Sequence, residues 1–160
     1  MFSNKEKVIF RIPLKLKLHL FMSKFYKQKN DITFSMDEPQ DIRKGEDIPI
    51  DPLKKFLTSQ GFDTKDLTIK QFPSGYSNLT YFLSTNNNEY VLRRPPFGAD
   101  SLKGGHDMSR EYKVLSKLKA EFKKVPNVHL YTEDKSIIGA PFYIMDCVKG
   151  YIMRPNLSQE

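Results

Sequence analysis

Residues 66–93 carry the pattern that most narrows the folds open to this chain. Three β-type runs, DLTIKQF (66–72), LTYFLS (79–84) and EYVLR (89–93), are separated by the turn segments PSGYSN and TNNNE, the last of which leads directly into the third run. A parallel crossover needs a dozen or more residues, so connections this short join antiparallel neighbours, and two hairpins in a row make a meander. A loop, PPFGADSLKGG, leads to DMSREYKVLSKLKAEF (107–122), the strongest helical period in the chain. Two further strand candidates follow, VHLYT (128–132) and PFYIMDCV (141–148), with EDKSIIGA as the turn between them. Upstream, Asp51-Pro52 reads as an N-cap with proline at the first helical position, opening LKKFLTSQ, which stops at Gly61. The order points to an α+β domain: an antiparallel sheet of about five strands with one main packed helix.

Charge divides the chain. The net +7 sits entirely in residues 1–30, which hold eight Lys/Arg and one acid, Glu6. The remaining 130 residues carry 18 basic and 18 acidic side chains. A nucleic-acid-binding domain usually bears its basic patch on the fold, so the neutral body argues against nucleic acid as the partner. In PLKLKLHLF, Leu14, Leu16, Leu18 and Leu20 alternate with Lys15, Lys17 and His19, a strand period with one basic face. This arm reads as a membrane-surface or nucleic-acid segment, as a plain tail, or as residues upstream of a start at Met22 or Met36. Residues 31–50 are acidic, polar and broken by proline, which reads as linker. The expected organisation is a disordered arm and linker over 1–48 and an ordered lobe over 49–155.

One cysteine, Cys147, excludes an intrachain disulfide, and His19, His106 and His129 are too scattered for a metal cluster. No metal-ligating residue is assigned. No run approaches ~20 apolar residues, so no helical membrane span is expected. The arm lacks the continuous apolar centre of a secretory signal, and a cytoplasmic location is expected.

The third run ends on two arginines, Arg93 and Arg94, followed by two prolines. Successive strand residues point to opposite faces, so one arginine is inward and one outward. On the long helix, Met108, Leu115, Leu118 and Phe122 form a stripe that also contains Glu111. A carboxylate there either snorkels from the stripe edge and pairs locally with Arg110, or reaches an inward cation on a neighbouring strand. Arg93 is that candidate, and Arg94 then only caps the surface. A strand cation held by a helix glutamate is how kinase-type folds bind nucleotide phosphates, and arginine can do so through a bidentate fork.

The phosphate loop would be FPSGYSN (72–78). Gly75 allows close backbone approach, and Ser74, Ser77 and Asn78 offer short donors beside backbone N–H groups, with Tyr76 between them. A plain hairpin turn is the alternative. The last strand would run along the back of a cleft, with Asp146 C=O and Val148 N–H facing an adenine edge and Met145 guarding the rear pocket. Core filling is the other reading of Met145 and Cys147.

Together, FPSGYSNLTYFL, YVLRRPP, HDMSREYKVLSKL, VPNV and IIGAPFYIMDCVKG resemble the aminoglycoside/choline kinase-like phosphotransferases, and within them the subgroup associated with acyl-CoA dehydrogenases. The resemblance spans roughly residues 50–155. It implies the N-terminal lobe of a protein-kinase-like fold, ATP with Mg²⁺, and transfer of the γ-phosphate to a hydroxyl of a small molecule. By the same resemblance Arg93 is the phosphate-binding basic residue, Glu111 its partner, Ser74–Asn78 the nucleotide loop and Met145–Val148 the hinge. The family's His-x-Asp…Asn catalytic loop and its Mg²⁺-binding aspartate do not occur in the sequence. His106-Asp107 has the wrong spacing and opens the helix. No catalytic residue is therefore assigned, and the chain is expected to be a truncated, inactive lobe. The alternative is a non-catalytic nucleotide-binding or interaction module. Apolar surface at the hinge face is expected to need a protein partner or to limit solubility.

Overall fold

The computed structural model describes residues 32–73, 77–99, 107–150 and 152–155, with side chains omitted for 32–35 and 152–155. The chain divides into two units, one of residues 36–150 and one of residues 1–35 with 151–160. In the smaller unit, β1 (Ile32–Ser35) pairs antiparallel with β7 (Ile152–Pro155), Thr33 opposite Arg154. The basic arm before residue 32 lies outside the described residues.

The larger unit holds helix α1 (Ile50–Ser59), strands β2 (Thr68–Gln71), β3 (Leu79–Ser84) and β4 (Glu89–Arg94), helix α2 (Met108–Glu121), strand β5 (Val128–Thr132), the one-turn helix α3 (Lys135–Ile138) and strand β6 (Phe142–Asp146). The five strands form one antiparallel sheet in the order β2-β3-β4-β6-β5. The meander expected from the short turns is present as β2-β3-β4. The chain then crosses to the far edge through α2, and β6 returns between β4 and β5. This sheet with its packed helix is the kinase-like N-terminal fold.

Residues opposite one another in the ladder share a face. One face carries Leu79, Tyr81, Leu83, Leu92 and Ile144, which close with Leu53, Leu57, Ile137 and Ile138 into the apolar core. The opposite face carries Val91 and Arg93 of β4, Tyr143 and Met145 of β6 and Tyr131 of β5, and α2 packs there. The Tyr112 and Tyr131 rings stack at 5.4 Å and fix the helix to the sheet edge.

Three readings are corrected. Helix α1 begins one residue before Asp51, with Pro49 as its cap and no side-chain cap bond. Proline fits the whole first turn because those N–H groups have no helical partner, so Pro52 does not fix the start. The stop is as expected: Gly61 has φ +83°, Gly61 N–H donates to Thr58 O, and Phe62 N–H donates to Leu57 O, a Schellman ending. Second, the segment EDKSIIGA is not a plain turn. Asp134 caps α3 by accepting from Ser136 N–H at 2.9 Å, and Ile137 and Ile138 enter the core. Third, residues 36–48 are not free linker. Gln40 and Gln71 exchange two 2.8 Å backbone bonds, Ile48 is buried, and Tyr81 OH donates to Glu46 O at 2.7 Å. Their acidic, polar composition is spent on specific partners.

The α2 stripe is only partly buried. Met108 is enclosed, yet Leu118 and Phe122 are 41% and 50% exposed. The helix descends onto the sheet at its first turns and leaves its last turns open.

Candidate functional site

The site grows from strand parity. Leu92 and Arg94 face the core, so Val91 and Arg93 face α2. Asp107 caps α2 by accepting from Arg110 N–H at 2.9 Å, which sets the helix start and puts Glu111 at the end of its first turn. Arg93 Nη1 then meets Glu111 Oε2 at 3.2 Å, with side chains 30% and 27% exposed. The long-range ion pair is formed, and Arg110 is not the partner that Glu111 uses.

Two more groups close on the same carboxylate. Asn78 Nδ2 donates to Glu111 Oε1 at 2.7 Å, and Tyr143 OH donates to Oε2 at 2.9 Å. Tyr143 stands directly opposite Arg93 in the β4–β6 ladder and is fully enclosed. Burial pushes its phenol well above the ordinary tyrosine range, against the opposing pull of Arg93, so it stays a donor at every physiological pH. The carboxylate is thus held at once from β4, from β6 and from the residue that leads into β3. Arg93 Nε is buried and has no hydrogen-bond partner among the described residues.

Asn78 is therefore placed differently from the sequence reading. It is 3% exposed and its amide donates to Glu111. Ser77 is exposed. Ser74, Gly75 and Tyr76 lie outside the described residues. The base of the loop is closed by Phe72 N–H donating to Thr80 O at 3.0 Å.

Arg94 is the second correction. It is not a surface cap but the more deeply buried of the pair, 2% exposed. Nε donates to Pro95 O and Nη1 to Ile138 O, each at 3.0 Å, and the guanidinium lies 3.9 Å from the Phe97 ring centroid. Burial lowers its pKa, partly offset by Tyr81 and Glu46. Alternation distinguishes the two faces correctly, but it does not say which face holds the core.

At the far end of β6, Met145 is half-buried opposite Val91. Asp146 N–H donates to Asn127 O at 2.9 Å, and its carboxylate accepts from Asn127 N–H at 3.1 Å and meets His129 Nε2 at 2.6 Å. Those bonds tie Asp146 to β5. Val148 is 61% exposed, and its N–H has no hydrogen bond among the described residues. From Tyr143 to Asp146 the strand advances about 10 Å. Among the described residues no group of three or more His, Cys, Asp and Glu is placed to hold a metal ion. No described helix is long and apolar enough to cross a membrane.

The phosphotransferase enzyme family APH matches residues 68–160, more than half of the chain and the segment that contains every site residue above. The chain belongs to this family. Over 119 residues it is 36% identical to mouse acyl-CoA dehydrogenase family member 10, covering 72% of this chain and 11% of that protein. Over 103 residues it is 43% identical to rat acyl-CoA dehydrogenase family member 11, covering 64% and 13%. A Ralstonia eutropha protein described as an aminoglycoside phosphotransferase has a solved structure that superposes with TM-score 0.53 at 33% identity, covering 64% of this chain and 28% of that one. The chain thus spans 11–13% of these curated relatives' length and matches the N-terminal portion of the kinase-like fold.

Tyr143 is the site residue that sequence reasoning missed. A tyrosine in an apolar strand run reads as core. Its parity with Arg93 across the sheet is invisible until β6 is known to pair with β4.

Proposed function

We propose that these residues form the nucleotide-binding lobe of an ATP-dependent small-molecule phosphotransferase. Arg93 holds α- and β-phosphate oxygens, and Glu111 fixes the guanidinium so that little ordering remains when the ligand arrives. The loop 72–78 covers the phosphates. Val148 N–H and Asp146 C=O face the base edge, with Met145 behind it. ATP, when bound, supplies the phosphoryl group that a hydroxyl acceptor takes up.

The observation that carries this reading is the part-exposed Arg93–Glu111 pair, whose carboxylate Asn78 and Tyr143 also hold. The sequence offers no His-x-Asp…Asn loop and no metal aspartate, so this segment by itself is proposed to transfer no phosphate. Mg²⁺ ligands and the acceptor pocket would come from a further lobe, and the exposed Val148 and the open end of α2 are the surfaces it or another protein would cover. A cytoplasmic setting fits an ATP-dependent reaction.

The test is a titration of the chain with ADP and ATP, with and without Mg²⁺. The wild type should bind weakly, with Kd ~1 mM or above, because this segment alone supplies one wall of the proposed cleft. Arg93→Ala should abolish the response. No binding by the wild type, or binding unaffected by Arg93→Ala, would overturn the proposal. Micromolar binding would instead favour a self-sufficient nucleotide-binding module.

A further inference from the structure

We infer that Tyr143 is a positioning residue: its hydroxyl, together with the Asn78 amide, locks Glu111 so that the Arg93 clamp is assembled before any nucleotide arrives. This rests on the nucleotide reading above and adds how its cation is controlled.

The argument is an accounting of one carboxylate. Glu111 Oε1 accepts from Asn78 Nδ2 at 2.7 Å. Oε2 accepts from Tyr143 OH at 2.9 Å and from Arg93 Nη1 at 3.2 Å. The shortest two of these contacts are not to the cation. Arg93 is thus the third partner of a carboxylate that two neutral donors already hold. Both donors are rigidly mounted. Tyr143 is 0% exposed and sits mid-strand in β6, flanked by β4 and β5. Asn78 is 3% exposed and immediately precedes β3.

A glutamate on a helix can in principle swing away with the helix and release its cation. Here the last turns of α2 are open, with Val114, Leu118 and Phe122 exposed, and packing there does little to hold the helix in. The first turns are held by buried Met108, by the Tyr112–Tyr131 stack and through Glu111 itself. Tyr143 and Asn78 add polar anchors to that packing, and Arg93 inherits a fixed orientation from them.

This role predicts a split that a merely structural tyrosine would not show. Tyr143→Phe keeps the ring and removes only the hydroxyl. It should weaken ADP and inorganic tripolyphosphate binding by ~3–10-fold, part of the worth of one charge-assisted hydrogen bond. Adenosine binding should stay within about twofold, because adenosine lacks the phosphates that Arg93 reads. In a Glu111→Gln background, Tyr143→Phe should change phosphate affinity much less than in the wild type, since both act through one carboxylate. Equal loss for ADP and adenosine, or full additivity with Glu111→Gln, would overturn the inference.

A second readout needs no ligand. In the wild-type chain the Arg93 Nε–Hε NMR resonance should be sharp and shifted from free arginine. Tyr143→Phe and Asn78→Ala should each broaden it or move it toward the free value, at unchanged amide spectra for the core residues Leu83 and Ile144. An unmoved Arg93 resonance in both variants would refute the positioning role even if the chain binds ADP. A moved resonance in a wild type that binds neither ADP nor tripolyphosphate would sustain it and refute the nucleotide reading alone.

Discussion

The two faces of the central sheet solve opposite problems with neighbouring residues of the same strand. On one face Leu92 and Arg94 point into a closed core beneath α1 and α3, and even the arginine is satisfied by two main-chain carbonyls and an aromatic ring. On the other face Val91 and Arg93 look toward α2, where a tyrosine and an asparagine hold the glutamate that pairs with a part-exposed cation. The closed face leaves nothing for a ligand to do. The α2 face holds a charge in place without exhausting it. On the proposed reading, consecutive arginines divide between stability and binding.

The contrast can be broken deliberately. The largest effect should come from the closed face: Leu92→Ala, at a position with no exposure, should cost ~2–5 kcal/mol in chemical denaturation, comparable to the whole stability of a small domain. Next, Arg94→Ala should destabilise by ~1–3 kcal/mol, because it orphans two buried carbonyls and empties a site against Phe97. Arg93→Ala should lower stability by no more than ~1 kcal/mol, since its ion pair is part-exposed, while removing nucleotide binding. Equal stability losses for the two arginines would dissolve the comparison.

A smaller effect concerns the segment 36–48. Burial alone would raise the Glu46 pKa, but hydrogen bonds from Gln71 and Arg43 and the nearby Arg43 and Arg94 charges outweigh it, and the net shift is downward. A carboxyl whose folded pKa is depressed adds stability above its ordinary range and loses it as pH falls through the folded value. Acidification should therefore loosen this segment before the sheet, seen as faster exchange of the Gln40 amide while Leu83 stays protected. Glu46→Gln should remove most of that pH dependence. Simultaneous loss of both amides at acid pH would contradict the separate clip.

Much of this contrast was legible in the sequence, and the limits are specific. The meander followed from turn length, and the Arg93–Glu111 pair followed from a strand period and a helix stripe that each placed one charge on an inward face. The depth of Arg94 did not follow, because alternation gives two faces without ranking them. Tyr143 was hidden because its role depends on β6 inserting between β4 and β5, a pairing that no local pattern encodes. Helix α3 is one turn long, too short for a period to show, and residues 36–48 looked like linker because their contacts are polar and distant in sequence. The exposed end of α2 shows the reverse error: Leu118 and Phe122 fit an apolar stripe that the described unit does not cover.

The most direct test of the central claim is an amide and side-chain NMR titration of the wild-type chain with ADP, read by face. Shifts should concentrate at Val91, Arg93, Met145 and Val148, and Leu57, Leu83 and Ile138 should stay still. Shifts confined to the core-face residues or to the basic arm, or no shifts at millimolar ADP, would contradict a nucleotide site on the α2 face of this sheet.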